Sequence, residues 1–536
     1  MFDTPPPSAT ALVDADDAAV AAAIEGWARL TAAADAQRLG AIAELADRRL
    51  REAEHQDWAC DDWDAAAAEV AAALNVSHGR ALRQIDLALA LRDRLPAVGA
   101  MLRAGAITTH TAAVIVDRTA LVEDSEALQR LDAAISERAA NWGPLSDYKL
   151  KQALDVWIDR IDPGALRRTR DNVRSRDFVV GGRNDDAATT EVWGRLQPTD
   201  ALRLQQRLTA MARGVCPDDP RTLAQRRADA VGALAANSEH LKCLCGNPAC
   251  SAATDDGRAT GVVIHVLAET AATRSAPDPL IHGDGRIPEP PAPARPAASP
   301  DTAAASCPNP AAPPSPTPVA APDTAAPHDT AAPPSPAPGP TPPALLIGGG
   351  HLPAPLLAEL IQQGAQVKPV TAPNPNPENR YRPSAALDTW IRLRDLTCRY
   401  PGCDQPAVTA DIDHTTPYPA GLTHPANLSC RCRKHHLLKT FWDGWTDIQA
   451  PDGSITFTTP SGRRYVTKPG AALLLPAWDI TTTPVANGRP PDHGPGRALM
   501  MPKRRRTRAQ SRAAYIKAER AHNDAYVAER NEPPPF

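Results

Sequence analysis

The stretch that decides how this chain is read runs from Cys398 to His436 in three pieces: CRYPGC at 398–403, DIDH at 411–414 and NLSCRCRKHH at 427–436. Two cysteines close together, then a further cysteine with a histidine three residues on, is the spacing of a structural Zn2+ site that closes two short turns. Cys398, Cys403, Cys432 and His435 supply three thiolates and one imidazole, a soft tetrahedral donor set. Asp413 and His436, with Asn427 as a further donor, form a harder set suited to Mg2+ or a similar divalent ion with open positions. His414 follows Asp413 directly, so on an extended strand it points to the opposite face or across a bend. A neutral histidine near a metal-bound phosphate can deprotonate water while the metal neutralises charge on the phosphoryl oxygens. These are the parts for phosphodiester hydrolysis. The competing reading is a purely structural zinc ribbon, which explains four ligands and leaves Asp413, His414, Asn427 and His436 without a purpose.

At these residues the sequence resembles the HNH (ββα-metal) endonucleases. That resemblance implies His414 as general base on a strand, and Asp413 with His436, on the following helix, as ligands of the catalytic metal. It also implies Asn427 as the support of the intervening loop. The chain is similar, more closely, to HNH proteins of high-GC bacteria that carry a long N-terminal helical DUF222 (13E12-repeat-like) domain. The marks are Arg394-Asp395 ahead of Cys398, the loop from Pro417 through Gly421 and His424 to Asn427, and the CRKHH ending followed by Lys439. The nuclease resemblance covers about residues 380–460. The chain departs from it at Leu422, where many relatives have glycine, and at Arg431, where they have a hydrophobic residue. An extra Cys430 leaves the choice between Cys430 and Cys432 as zinc ligand open.

Composition bounds the remainder. A length of 536 residues suggests two or three domains, and 43% hydrophobic residues can supply real cores. Aromatics make up only 4%, so most packing must be small-residue helix packing. The ten cysteines are sparse and clustered, which argues against a disulfide framework. The opening MFDTPPPSATALVDADD has no apolar segment of a secretory signal, and no apolar run is long enough for a membrane helix, so a cytoplasmic protein is expected. The net charge of −4 does not advertise a nucleic-acid binder. Charge is uneven, however: the stretch to Asp64 is acid-rich, whereas KRRRTR at 503–508 is basic. Lys503, Arg504, Arg505, Arg506 and Arg508 read as a solvated tail or, beside a nuclease, as non-specific phosphate contacts.

The fold expected is multidomain. A mainly α-helical DUF222-like domain spans 18–287, a disordered Pro/Ala/Thr linker 288–343, and a short helical connector 344–379. A small α+β zinc-containing HNH domain follows at 380–465, and a Pro-rich, basic, peripheral tail at 466–536. Within the first domain, residues 68–85 read as helix, tight turn at Asn75-Val76-Ser77, then helix. That is either two ordinary packed helices or a helix-turn-helix placing Arg80 and Arg83 near a DNA groove. Helix boundaries are expected at Pro96 and Gly105. Cys243, Cys245 and Cys250 with His240 form a second cluster that is either a zinc site or reduced thiols in a turn. Residues 261–267 read as a buried strand with His265 packed in a core, and 454–467 as a hairpin around Pro460-Ser461-Gly462. The function expected is metal-dependent hydrolysis of DNA, with RNA not distinguished. The rival is an inactive DNA-binding or mobile-element protein whose helical domain binds a protein partner. Proteolysis in the linker is expected to release two independently folded pieces.

Overall fold

The N-terminal sequence is dominated by alanine and leucine at helical spacing, and it folds accordingly. The computed structural model describes residues 6–51, 54–139, 145–166, 177–181, 189–253, 265–278, 344–347, 351–488 and 497–532. Helices α1 (Asp17–Leu50), α2 (Asp62–Leu74), α3 (His78–Leu89), α4 (Pro96–Arg103), α5 (Thr109–Arg118), α6 (Ser125–Ala139) and α7 (Asp147–Ile161) build one core. Ala65 to Ala68 of α2 are all buried, which lets neighbouring helices approach closely. Asp61 caps α2 by accepting from the Asp64 amide, and Asn75 ends it in the left-handed region. Pro96 opens α4, and Gly105, at φ +70°, follows its end, so both expected boundaries are present.

Beyond α7 the chain forms a hairpin of β1 (Asp177–Val180) and β2 (Val192–Arg195), then helices α8 (Pro198–Arg213) and α9 (Leu223–Ala235). β3 (Val266–Leu267) pairs antiparallel with β4 (Ala344–Leu346), which pairs with β5 (His351–Leu352), and α10 (Ala354–Gln362) follows. The chain on either side of residues 279–343 is thereby joined in one sheet. His265 is exposed, not packed in a core. The expected disorder of 288–343 and the glycine turn at 348–350 lie outside the described residues.

The C-terminal region carries small sheets. Ser384 caps α11 (Ala385–Asp395). Strands β6 (Asp411–His414) and β7 (Leu428–Arg431) pair antiparallel, with Asp413 opposite Ser429, and lead into α12 (Arg433–Phe441). A second sheet holds β8 (Thr446–Gln449), β9 (Ile455–Thr458) and β10 (Arg464–Thr467), so the expected hairpin gains a third strand. The Arg394-Asp395 pair, fully buried, explains itself here. Arg394 donates to the carbonyls of Pro425 and Leu428, while Asp395 accepts from the Cys430 amide and from Arg399. α11 is thus clamped to β7 and its loop by charged groups that all find partners.

The basic segment is not a peripheral tail. Helices α13 (Gly470–Leu474) and α14 (Arg508–Asn531) close the chain, and Ile516 of α14 sits in the N-terminal helical core. Arg520 pairs with Asp162, and Asn523 donates to the carbonyls of Gly164 and Leu166. Trp58, Cys60, Ala65 and Ala68 share a buried apolar cluster with Cys398, Tyr400, Leu437 and Met501. The two halves are therefore packed into one body, contrary to the expectation of separable pieces. Among the described residues no helix is long and apolar enough to cross a membrane.

Candidate metal centre and catalytic cluster

The CRYPGC turn, the end of β7 and the first turn of α12 converge on four ligand atoms. Cys398, Cys403, Cys432 and His435 place their sulfurs and one imidazole nitrogen within 4.8 Å of one another. His435 Nδ1 lies 3.2 Å from Cys432 Sγ and 3.5 Å from Cys398 Sγ. Tyr400 stacks on the imidazole at 3.9 Å and holds the ring in this orientation. Gly402, at φ +71°, lets the turn reverse; a Cβ there would meet the Val76 carbonyl oxygen at 2.4 Å. Three thiols beside one imidazole nitrogen, mostly shielded from water, suit a soft tetrahedral cation such as Zn2+.

The register left open by Cys430 is decided by strand alternation. Cys430 lies opposite Ile412 on the face of the β6–β7 hairpin that packs on Leu387 and Ile391 of α11, away from the ligand cluster. Burial pushes its thiol well above the usual value, so it stays protonated in an apolar core. Cys432 is the residue that joins the other three ligands.

The opposite face of the hairpin carries the acidic residues. Asp411 and Asp413 are two apart on β6, so both side chains face α12. His435 and His436 are adjacent on that helix and diverge, the first toward the cysteines and the second toward the carboxylates. His436 Nδ1 is 2.8 Å from Asp411 Oδ2, and its Nε2 is 3.6 Å from Asp413 Oδ1. With Nδ1–H donating to Asp411, Nε2 turns a lone pair toward the Asp413 carboxylate: two donors aimed at one position, with a carboxylate orienting the imidazole. Lys439 donates to the other oxygen of Asp413 at 2.8 Å and to the His414 carbonyl. Burial raises the Asp413 pKa, but the ammonium of Lys439, which also donates to it, overcomes that and holds the carboxyl below its ordinary value, ionised.

His414 ends β6 on the side of the strand opposite Asp413 and is itself buried. Its Nε2 is 2.9 Å from Thr423 Oγ1, and Tyr381 stacks on it at 5.3 Å. The single Thr423 hydroxyl proton goes to the Arg380 carbonyl, so Thr423 accepts from His414 Nε2–H and the lone pair resides on Nδ1. Burial holds the His414 pKa below its ordinary value despite the nearby Asp413 charge, so the ring is neutral at pH 7.

Asn427 is fully buried and faces no metal position. Its amide donates to the carbonyls of Thr416 and Leu422, and its oxygen accepts from the Thr416 amide, stapling the loop between β6 and β7. This suits the supporting role expected of it and excludes its amide oxygen from the harder ligand set. Arg431, in the place of a hydrophobic residue, lies over the Phe457 ring and pairs with Asp447, a partner it shares with Lys439.

Of the basic segment, Lys503 pairs with Asp57, and Arg504 and Arg508 both pair with Asp61 and Asp64. Asp64, buried completely, also accepts from Lys434 on α12 and from His78 on α3. Arg504 and Arg508 therefore bind the two halves of the chain together; Arg505 and Arg506 are exposed and have no ion pair among the described residues. The α2–α3 turn packs on the zinc turn: Tyr400 donates to the Ala68 carbonyl, and the His78 ring meets the His435 ring edge-on at 5.4 Å. The turn of the possible helix-turn-helix is thus covered by protein, although Arg80 and Arg83 remain exposed. Ser77 stands at the N-cap without a side-chain cap hydrogen bond. Sequence reasoning passed over Asp411, Thr423 and Tyr381. Of these only Asp411 left a local signal, its two-residue spacing from Asp413.

Comparison with known proteins places this architecture in a family. The model described as "Domain of unknown function (DUF222)" matches residues 27–293. "Uncharacterized protein Rv2100" of Mycobacterium tuberculosis strain H37Rv is 52% identical over 543 residues, covering 100% of this chain and 93% of that protein. "Uncharacterized protein Rv3776" of the same strain is 51% identical over 538 residues, covering 100% and 95%. The "Uncharacterized protein in est 3'region" of Mycobacterium tuberculosis is 49% identical over 389 residues, covering 72% of this chain and 99% of that protein. The chain belongs to the DUF222 family. No solved structure matches it significantly.

Proposed function

We propose that this protein is a metal-dependent HNH endonuclease that hydrolyses DNA phosphodiester bonds, with Zn2+ on Cys398, Cys403, Cys432 and His435 as a structural staple. The observation that carries the reading is the β6–β7–α12 arrangement. It sets a neutral histidine with its lone pair on Nδ1 directly after a carboxylate whose oxygen meets a second, carboxylate-oriented histidine. A bare zinc ribbon requires none of these three groups.

In this reading Asp413 and His436 hold the catalytic divalent ion, Mg2+ or a similar cation, which supplies neutralisation of charge on the phosphoryl oxygens. His414 Nδ1 takes the proton of the attacking water, while its Nε2–H stays fixed on Thr423 and so selects the tautomer. Asp411 orients His436. Lys439, tied to Asp413 and to the His414 carbonyl, holds the strand end that presents the base. Arg505 and Arg506 remain available for backbone phosphates, whereas Lys503, Arg504 and Arg508 are committed to acidic partners within the protein. The test is nicking of supercoiled plasmid by the full chain with Mg2+, Mn2+ or EDTA. His414→Ala should reduce cleavage by ~10²–10⁴-fold at unchanged zinc content, since general-base catalysis is worth that much. Wild-type rates in His414→Ala, or cleavage undiminished by EDTA, would refute the assignment. No cleavage of DNA with any divalent ion would favour the inactive zinc-stapled reading.

A further inference from the structure

A second group of thiols lies on other elements of the fold. Helices α8 and α9 are joined by a short connection that carries Cys216, and the chain after α9 turns back through Cys243, Cys245 and Cys250. The four sulfurs all lie within 4.8 Å of one another, and Cys216 Sγ is 3.4 Å from Cys243 Sγ. A tetrahedral ion with metal–sulfur bonds of about 2.3 Å needs sulfur–sulfur separations of about 3.8 Å, inside that range. The bulkier polynuclear iron–sulfur clusters would hold the thiolates farther apart.

The surrounding backbone is built to hold that geometry. The Cys243 amide donates to the Ala252 carbonyl at 2.7 Å and the Cys250 amide to the Asn247 carbonyl at 3.0 Å, closing a knuckle whose reversal uses Gly246 at φ +71°. Buried Asp219 takes both Arg221 Nε and Nη2 and also accepts from the Leu244 amide. Arg221 in turn donates to the Lys242 carbonyl. This ionic clamp locks the connection carrying Cys216 onto the knuckle carrying the other three. Its own apolar support is thin: Met211, Val215, Ala230, Leu241 and Cys243. A unit this small, with so little core, is the kind that a metal staple stabilises.

We propose that Cys216, Cys243, Cys245 and Cys250 bind Zn2+ as a closed, four-thiolate structural site, each thiol giving up its proton on binding. His240, adjacent in sequence to the knuckle, is outside the set. The ligand missing from the local motif is Cys216, which comes from 27 residues upstream of Cys243.

Elemental analysis of the purified full chain for zinc and iron tests this. One zinc per cluster gives two per chain, falling to one in Cys216→Ser, to one in Cys398→Ser, and staying at two in His240→Ala. Cobalt-substituted Cys398→Ser protein should retain the charge-transfer bands of a tetrahedral thiolate site. Should Cys216→Ser prove insoluble, wild-type stoichiometry and the cobalt spectrum of Cys398→Ser still decide the matter. A wild-type content of one zinc that vanishes in Cys398→Ser overturns the proposal, as does iron in place of the second zinc or full zinc retention in Cys216→Ser. Because the readout is metal content, its failure is separate from any failure of the nuclease reading.

Discussion

Asp64 joins the two halves of the chain through Lys434, Arg504 and Arg508, and Asp64→Asn tests the weight of that contact directly. The carboxylate is buried and takes four donors: Lys434 at 2.8 Å, Arg504 at 2.7 Å, Arg508 at 2.6 Å and His78 at 2.9 Å. Asparagine keeps the shape but removes the charge, leaving Asp61 as the one carboxylate shared by two arginines. Breaking a buried ion pair costs about 3–5 kcal/mol, and because the cationic partners remain partly solvated the lower end applies, about 3 kcal/mol. At roughly 2 °C per kcal/mol for a cooperative unit of this size, the midpoint of thermal unfolding should fall by about 6 °C. Burial raises the Asp64 pKa, but the hydrogen bond from His78 and the charges of Lys434 and Arg508 outweigh it, so the folded value lies well below the ordinary one. A depressed carboxylate contributes stability that is present above the unfolded pKa and lost as pH falls. Wild-type protein should therefore lose its advantage over Asp64→Asn on acidification below about pH 4. The assay is calorimetry across pH, paired with gel filtration after cutting at a protease site engineered into residues 279–343. The cut wild-type halves should co-elute. A midpoint within about 1 °C of wild type, or cut halves that separate without the mutation, would refute the interface as the source of stability.

Two further expectations concern the centre itself. Cys430→Ser should keep its zinc and lose about 1–3 kcal/mol for a hydroxyl placed in an apolar core, whereas Cys432→Ser should lose the metal and unfold the zinc turn; the opposite pattern in elemental analysis would reverse the ligand register. If His414 is the base, kcat/KM for cleavage should rise through an apparent pKa below the ordinary histidine value of 6.5 and be flat above pH 7, because burial favours the neutral ring. A rising limb above pH 7 would contradict that protonation state.

What could be read from the sequence was local. The helical N-terminal region followed from alanine and leucine at helical spacing, and the breaks at Pro96 and Gly105 from backbone chemistry those residues impose on any chain. The quartet of Cys398, Cys403, Cys432 and His435 was legible because its ligands fall within one short run whose spacings match two tight turns. Strand pairing then settled what spacing left open. Alternation sent Cys430 into the α11 core and set Asp411 beside His436, and burial made Asn427 a loop staple instead of a metal ligand.

Only the tertiary structure decided the rest. The basic segment at 503–508 reads as a solvated tail because its partners, Asp61 and Asp64, lie 440 to 447 residues away. No periodicity or motif encodes a pairing across that distance. It arises when α14 completes the N-terminal core and brings the arginines down on two buried carboxylates that need compensation. Cys216 joins its cluster for the same kind of reason: the α8–α9 packing and the Asp219–Arg221 clamp carry it there. Spacing along a chain reports which groups can meet within a turn or two, whereas ion pairs across hundreds of residues, and a ligand 27 residues from its nearest partner, depend on how the helices pack.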